Sequence, residues 1–270
     1  MTAYSCQDDF YVPGTEEIGE GMCDVSLQIA YQPNQTSETR SAGTALDAHF
    51  YTPLVFFFDS DGNVVSKFKL ASGDLTNKQN KPVGNSNYAE DTYKYAEIPH
   101  GKIQVPFGRY RIYVVLEGGA VPFNSITTLA DLRNVNVAWS TDNASNAISF
   151  GSCSSTDRAI NVADDENDYY VDASGTAHDA QDGELITLNQ PKQSVSAWTK
   201  RLASKVSVSY DASGLNSGIK IYIKSVQIKD IPKTCYLGRC NTPTSADQLQ
   251  AGELIDYKPG VTDFTGRDYI

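Results

Sequence analysis

The chain has 270 residues, 40% of them hydrophobic and 20% charged, which supplies a large core and is too apolar for wholesale disorder. A net charge of −11 repels phosphate backbones and anionic headgroups, which argues against a nucleic-acid partner. No apolar run reaches the roughly 18 residues of a membrane-spanning helix, and 16 tyrosines among plentiful Val, Ile, Thr and Ser favour pleated surfaces over helices.

The first residues are too short and too polar for a complete signal peptide. Ala3-Tyr-Ser-Cys6 nonetheless looks like the tail of a lipobox, in which small residues precede a cysteine that becomes acylated, and acidic Gln7-Asp-Asp9 follows. Cys6 is therefore the expected lipidation site, with the front of the leader missing. Residues 7–22 read as a flexible tether.

Val25-Ser-Leu-Gln-Ile-Ala-Tyr31 alternates strictly, so Val25, Leu27, Ile29 and Tyr31 share one face of a half-buried strand. Residues 32–45 are polar and loop-like, with Arg40 as their one basic residue. Leu54-Val-Phe-Phe-Phe58 is a continuous apolar run, which fits a central strand covered on both faces. Asp59-Ser-Asp-Gly-Asn63 then predicts a turn into a second strand from Val64 to Leu70, with Asp61-Gly62 at the tip. Residues 71–93 read as polar and irregular.

Ile103-Gln-Val-Pro-Phe107 and Arg109–Leu116 are further strands, with Gly108 marking a bend or bulge between them. Ser125–Leu132 is the best short helix, capped by Ser125 or Thr127. The Ser-, Asn- and Asp-rich residues 140–183 read as a region between domains. A second β pattern starts near Glu184, and Lys205–Tyr210 alternates cleanly. Ile219, Ile221 and Ile223 alternate as well. Val226 and Ile228 then fall out of phase, which predicts a bulge near Lys224 or Ser225. Residues 244–250 suggest a helical turn, and no convincing strand closes the chain.

Motifs for chemistry are scarce. His49, His100 and His178 sit in no zincin, triad or cysteine–histidine signature. Gly151-Ser-Cys-Ser-Ser155 lacks the second glycine of a nucleophile elbow, so the chain does not read as an enzyme. The acidic turn after Phe58 has its glycine at the wrong offset for an EF-hand, and Lys67 and Lys69 follow it. No pattern asks for a metal or cofactor. Setting Cys6 aside leaves Cys23, Cys153, Cys235 and Cys240, of which Cys235 and Cys240 can close a small loop in an oxidising compartment. Spacing does not fix the pairing, and free buried thiols stay open as the alternative. Trp139 and Trp198 fit either a sheet core or a glycan platform.

Arg40-Ser-Ala-Gly-Thr-Ala-Leu46, Leu54–Asn63, Val105–Val115, Leu202–Val208 and Lys224–Pro232, taken in order, resemble the fimbrillin superfamily of Bacteroidales, the subunits of type V pili. The resemblance implies an all-β chain of two transthyretin-like sandwiches. These would follow a leader remnant and tether at 1–22, with an N-terminal sandwich at 23–165 and an incomplete C-terminal one at 166–270. It also implies export as a lipoprotein to the outer membrane and cell surface. The implied partners are other fimbrial subunits, in a homo- or hetero-polymer, together with surface ligands on host or bacterial cells. In filament-forming members an arginine-specific protease cuts in the loop after the first strand, and a strand from another subunit fills the groove; Arg40 lies in the matching loop. Burying Val25, Leu27, Ile29 and Tyr31 contributes on the order of 6–12 kcal/mol as an upper estimate, so a vacated groove would favour a replacement. A surface-exposed glycan-binding lipoprotein, equally acidic and rich in tyrosine, is the competing expectation.

Overall fold

The computed structural model describes residues 18–31, 52–82, 92–116, 121–138, 148–155, 170–171, 177–178, 182–202, 205–209, 214, 216, 223–239, 243–252, 254–256 and 263–269. The alternating segment forms β1 (Met22–Tyr31), and the apolar run forms β2 (Leu54–Phe58), every residue of which is buried. The turn into β3 (Val64–Lys69) is held by the Asp59 carboxylate, whose Oδ1 accepts from the Asp61 N–H at 3.0 Å and the Asn63 N–H at 2.8 Å. Gly62 takes a φ of 82°, where a side chain would be strained. The hairpin and its tip are as the sequence indicates.

Of the stretch expected to be irregular, the described residues 71–82 and 92–93 are instead largely in regular elements. These are a 3-10 turn at Ser72–Asp74, then β4 (Thr76–Pro82) and β5 (Thr92–Ile98). β4 is an outer strand with solvent beside it, so it lacks the apolar alternation that marks a strand in a sequence, and Lys78, Lys81 and Pro82 suit an edge. Phe107 alone separates β6 (Gln104–Pro106) from β7 (Gly108–Leu116). A Cβ on Gly108 would stand 2.5 Å from the Tyr110 hydroxyl, so the break there requires glycine.

The helix is shorter than expected. α1 spans Leu129–Arg133, with Thr128 as its cap, while Ser125 closes a separate 3-10 turn from Phe123. Asp131 decides the start. Its N–H donates to Thr128 Oγ1 at 3.0 Å, and its carboxylate accepts from the backbones of Thr127 and Thr128 and from the Thr127 hydroxyl. Those bonds, led by the hydroxyl of Thr127, lower the carboxyl pKa to about 2.

β8 (Asn136–Ala138) follows, and β9 (Ser149–Ser154) comes from the region read as lying between domains. β10 (Tyr170–Val171) and β11 (Ala177–His178) pair with each other. β12 (Leu185–Leu188) lies antiparallel to β7, and β13 (Lys192–Arg201) lies parallel to β1 and antiparallel to β9. The division expected between residues 165 and 166 therefore separates β12 and β13 from the strands to which they are paired. Six residues of β9 carry one aromatic among serines, glycine and cysteine, so its central place in the sheet leaves no hydrophobic signature.

Later come β14 (Lys205–Ser209), β15 (Ser225–Val226), β16 (Ile231–Pro232), β17 (Thr234–Tyr236), β18 (Leu249–Gln250), β19 (Ile255–Asp256) and β20 (Asp263–Tyr269). They pair antiparallel as β14 with β20, β15 with β19, β16 with β18, and β17 with β8. β20 supplies a closing strand where none was expected, because Asp263, Gly266, Arg267 and Asp268 interrupt any apolar alternation. A 3-10 turn at Ala246–Gln248 matches the expected helical turn. Ile219 and Ile221 lie outside the described residues.

The large sheet runs β3-β2-β7-β9-β13-β1-β5-β4, with β12 beside β7 and β6 beside β1. It folds over at β9, and its two halves enclose one core. Val55, Phe57, Ile112, Val114, Ile186 and Leu188 come from one wall, and Cys23, Val25, Leu27, Ile29, Ile98 and Val195 from the other. Leu54, Phe56, Phe58, Tyr113 and Val115 point the opposite way, into a second core roofed by Ile126, Leu129, Leu132, Val137 and Leu237. Lys67 fastens that roof to β3 by donating to the carbonyls of Phe123, Asn124 and Ile126 at 2.9, 3.0 and 2.9 Å. The architecture is an all-β sandwich.

Two predictions follow from this packing. A Cβ at Gly151 would fall inside the contact shell of the Trp198 carbonyl oxygen, and backbone cannot rotate away. Gly151→Ala should cost about 3 kcal/mol in urea unfolding, whereas Gly73→Ala, which meets open space, should cost little. Asp131 binds its proton less readily when folded, at about 2, than in the unfolded chain, near about 3.9. Its contribution is therefore complete above about pH 4 and fades as pH falls through about 2. Asp131→Asn should flatten the loss of stability across that window, as followed by circular dichroism at stepped pH.

Candidate functional site: the seat of the first strand

β1 occupies an interior slot with both of its edges paired. On one side it runs parallel to β13, from Asp24 opposite Lys192 to Tyr31 opposite Thr199. On the other it runs antiparallel to β5 over Leu27–Tyr31 and to β6 over Met22–Asp24. The alternation predicted this orientation: Cys23, Val25, Leu27 and Ile29 are between 0% and 1% exposed. They pack with Ala96, Ile98, Ile103, Val105, Val195 and Ala197 in the shared core. Tyr31 ends the strand in register, and its side chain lies outside the described residues.

The opposite face of β1 is polar and bonded to its neighbours. Ser26 Oγ and Ser194 Oγ are 2.6 Å apart, and Ser196 Oγ donates to Gln28 Oε1 at 3.5 Å. Thr199, itself buried, donates its hydroxyl to the Ala30 carbonyl at 3.3 Å. The N-terminal end is held more firmly. The Asp24 N–H donates to Pro191 O and the Val25 N–H to Ile103 O, both at 2.9 Å, while the Phe107 N–H reaches Gly21 O at 2.8 Å. Asp24 Oδ1 accepts from the Gly101 N–H at 2.6 Å, and His100 Nδ1 lies 3.0 Å from the Asp24 carbonyl oxygen. Sequence reasoning passed over this clamp, although Pro99-His100-Gly101 carries a turn signal.

The other residues singled out in the sequence are not gathered at this seat. Cys6, Arg40, Cys240, Trp139 and His49 lie outside the described residues. Trp198 is half-buried on β13, one residue along from the buried Ala197. Cys235 is a free, buried thiol instead of half of a bonded pair. Cys23 and Cys153 are also free and buried, and they cannot pair with each other. Cys153 stands level with Ala197 and thus with Ile29, six residues along β1 from Cys23. That offset is roughly 20 Å of strand, against the roughly 7 Å limit for a disulfide. Burial raises all three thiol pKa values, that of Cys235 to about 12, so none is disposed to act as a nucleophile.

A second concavity lies between the hairpin tip and α1, lined by Asp61, Arg133, Asn134, Asp182 and Arg239. Its charges engage one another: Arg133 Nη1 lies 3.0 Å from Asp182 Oδ1, and Arg239 Nη1 donates to Asn134 Oδ1 at 2.7 Å. Among the described residues no three His, Cys, Asp or Glu side chains converge on a metal position. None of their helices is long and apolar enough to cross a membrane.

The seat of β1 should dominate stability over its own polar face. Leu27→Ala is expected to cost about 3 kcal/mol in urea unfolding, and Ser26→Ala about 0.5 kcal/mol.

No family model matches the chain, and no curated protein matches it. Among solved structures it is similar to a fimbrial assembly protein from Parabacteroides distasonis, at 15% identity and a TM-score of 0.45, over 91% of this chain and 77% of that one. A candidate cell adhesion protein from the same organism aligns at 12% identity and a TM-score of 0.46, over 90% of this chain and 61% of that one. Another, from Bacteroides eggerthii, aligns at 14% identity and a TM-score of 0.39, over 79% of this chain and 52% of that one.

Proposed function

We propose that the chain is a structural and adhesive subunit of a cell-surface fimbria, joined to its neighbours by exchange of the first strand. The observation that carries the reading is the combination of deep burial at β1 and its pairing with strands distant from it in sequence. Four of its side chains are at most 1% exposed. Yet among the described strands none of its three partners, β13, β5 and β6, follows it directly. One cut at Arg40 leaves β1 held by packing and hydrogen bonds only. Its departure would open an apolar slot between β13 and β5 with unpaired backbone on both sides, the surface to which an extended segment adds as a strand.

Cys6 is the proposed acylation site, which would place the subunit at the outer membrane before it joins a filament. The partners of the slot are then strands of other subunits, of this chain or related ones. The role asks for no cofactor and no catalysis.

Purified protein treated with an arginine-specific protease should give ladders of oligomers on gels run without boiling. Arg40→Ala protein should remain monomeric under the same treatment. Persistent monomer after complete cleavage at Arg40 would count against strand exchange.

A further inference from the structure

The sequence of β1, Met22-Cys-Asp-Val-Ser-Leu-Gln-Ile-Ala-Tyr31, contains one charged residue, and that residue sits beside the turn between β5 and β6. Asp24 lies between Cys23 and Val25, both fully buried, so its own side chain points away from the core. There it meets the turn between β5 and β6. Gly101, at a φ of 87°, aims its N–H at Asp24 Oδ1 from 2.6 Å. The His100 ring lies 3.0 Å from the Asp24 carbonyl oxygen and 3.6 Å from Oδ1, and the Asp24 side chain is only 16% exposed. Further along the strand, Ser194 and Ser196 offer hydroxyls, which donate or accept and so tolerate many partners. The Gly101 N–H can only donate.

The geometry points to a selection rule that rests on the strand-exchange reading above: the vacated seat takes strands carrying a carboxylate or carboxamide at the position facing Gly101 and His100, and this contact fixes their register. The occupant is a strand of another chain with the pattern apolar, Asp or Asn, apolar, then apolar at every second residue. It enters parallel to β13 and antiparallel to β5 and β6, as β1 does. A slip by one residue turns the apolar side chains outward. A slip by two keeps them inward, so the core alone opposes it weakly; what it loses is the carboxylate at the Gly101 N–H, which then meets Met22 in one direction and the shorter Ser26 hydroxyl in the other. The acid therefore favours the parent register over those two. A basic residue at that position would set its cation against the Gly101 N–H and beside the His100 ring, with no side-chain acceptor for that N–H.

The test uses the full chain cleaved after Arg40, with cleavage verified by mass, and fluorescent decapeptides of the β1 sequence followed by anisotropy. The parent peptide and its Asp24→Asn form should bind within about threefold of each other, since both present an acceptor. Asp24→Ala should bind about tenfold more weakly. Asp24→Lys should lose more than that, as should a peptide with the acid moved two places (Asp24→Ser with Ser26→Asp). In His100→Ala protein the penalty on the lysine peptide should shrink while the alanine penalty remains, which separates the ring from the amide. Equal binding by all five peptides overturns the selection rule and leaves strand exchange standing. Failure of every peptide to enter the cleaved protein removes the exchange reading, and the rule with it.

Discussion

The fold depends on a strand whose partners all lie far from it in sequence. β1 is ten residues long, paired along both edges, and buried on one face against the opposite wall of the sandwich. Ordinary sheet strands inherit their register from the tight turns that join them to a neighbour. β1 has no such turn: Ser26 bonds with a residue 168 positions away, and its antiparallel partner β5 begins at Thr92. Side-chain fit and the clamp at Asp24 do for it what a hairpin does for β2 and β3.

The other half of the sandwich is built differently. β2 is covered on both faces, its odd positions in the shared core and its even positions under the roof made by α1 and its flanking segments. That roof is fixed by polar contacts of high specificity, namely Lys67 on three carbonyls and Asp131 on the backbone of its own cap. Phe56 and Phe58 stack at 6.0 Å, and Tyr113 stacks on Phe150 at 5.5 Å, which joins β2, β7 and β9 through one aromatic layer. The β2–β7 wall thus has its own support, independent of β1. The two walls thus differ in build: β2 joins its neighbour β3 by a hairpin, whereas β1 pairs only with strands distant in sequence.

How much of this was legible in the sequence depends on which physical signal each element carries. β1 and β2 announce themselves because burial on one face imposes period two and burial on both imposes an unbroken apolar run. The β2–β3 turn is legible because Gly62 and Asp59 solve a local backbone problem with local residues. β4 is hidden because an edge strand in water has no reason to alternate, and β9 because its close crossing with β13 demands small residues, Gly151 above all. β20 is hidden for want of alternation, since its pairing with β14 is a matter of backbone. Strand pairing across the expected division at 165 and 166 has no local signal either. A low-complexity stretch marks surface segments wherever they occur, and here two later strands return across it to flank β1 and β7. At the seat itself Val25, Leu27 and Ile29 were readable from the alternation, whereas the Asp24–Gly101 clamp joins residues 77 apart and has no local trace.

That clamp bears on why an inserted strand would be unique in position. Hydrophobic fit is periodic: translation by two residues brings apolar side chains back to apolar seats, and small differences between Val, Leu and Ile separate the alternatives only modestly. A buried or half-buried polar contact is not periodic. Gly101 is exposed, so water can replace a lost acceptor there, and what a slipped register forfeits is the charge-assisted bond from the Gly101 N–H to the carboxylate. The arrangement at Gly101 is asymmetric, because the N–H lies on the turn between β5 and β6 and the acceptor on β1. If strands exchange as proposed, affinity would come from the apolar seats and register from the polar one, so the two properties would be open to independent change.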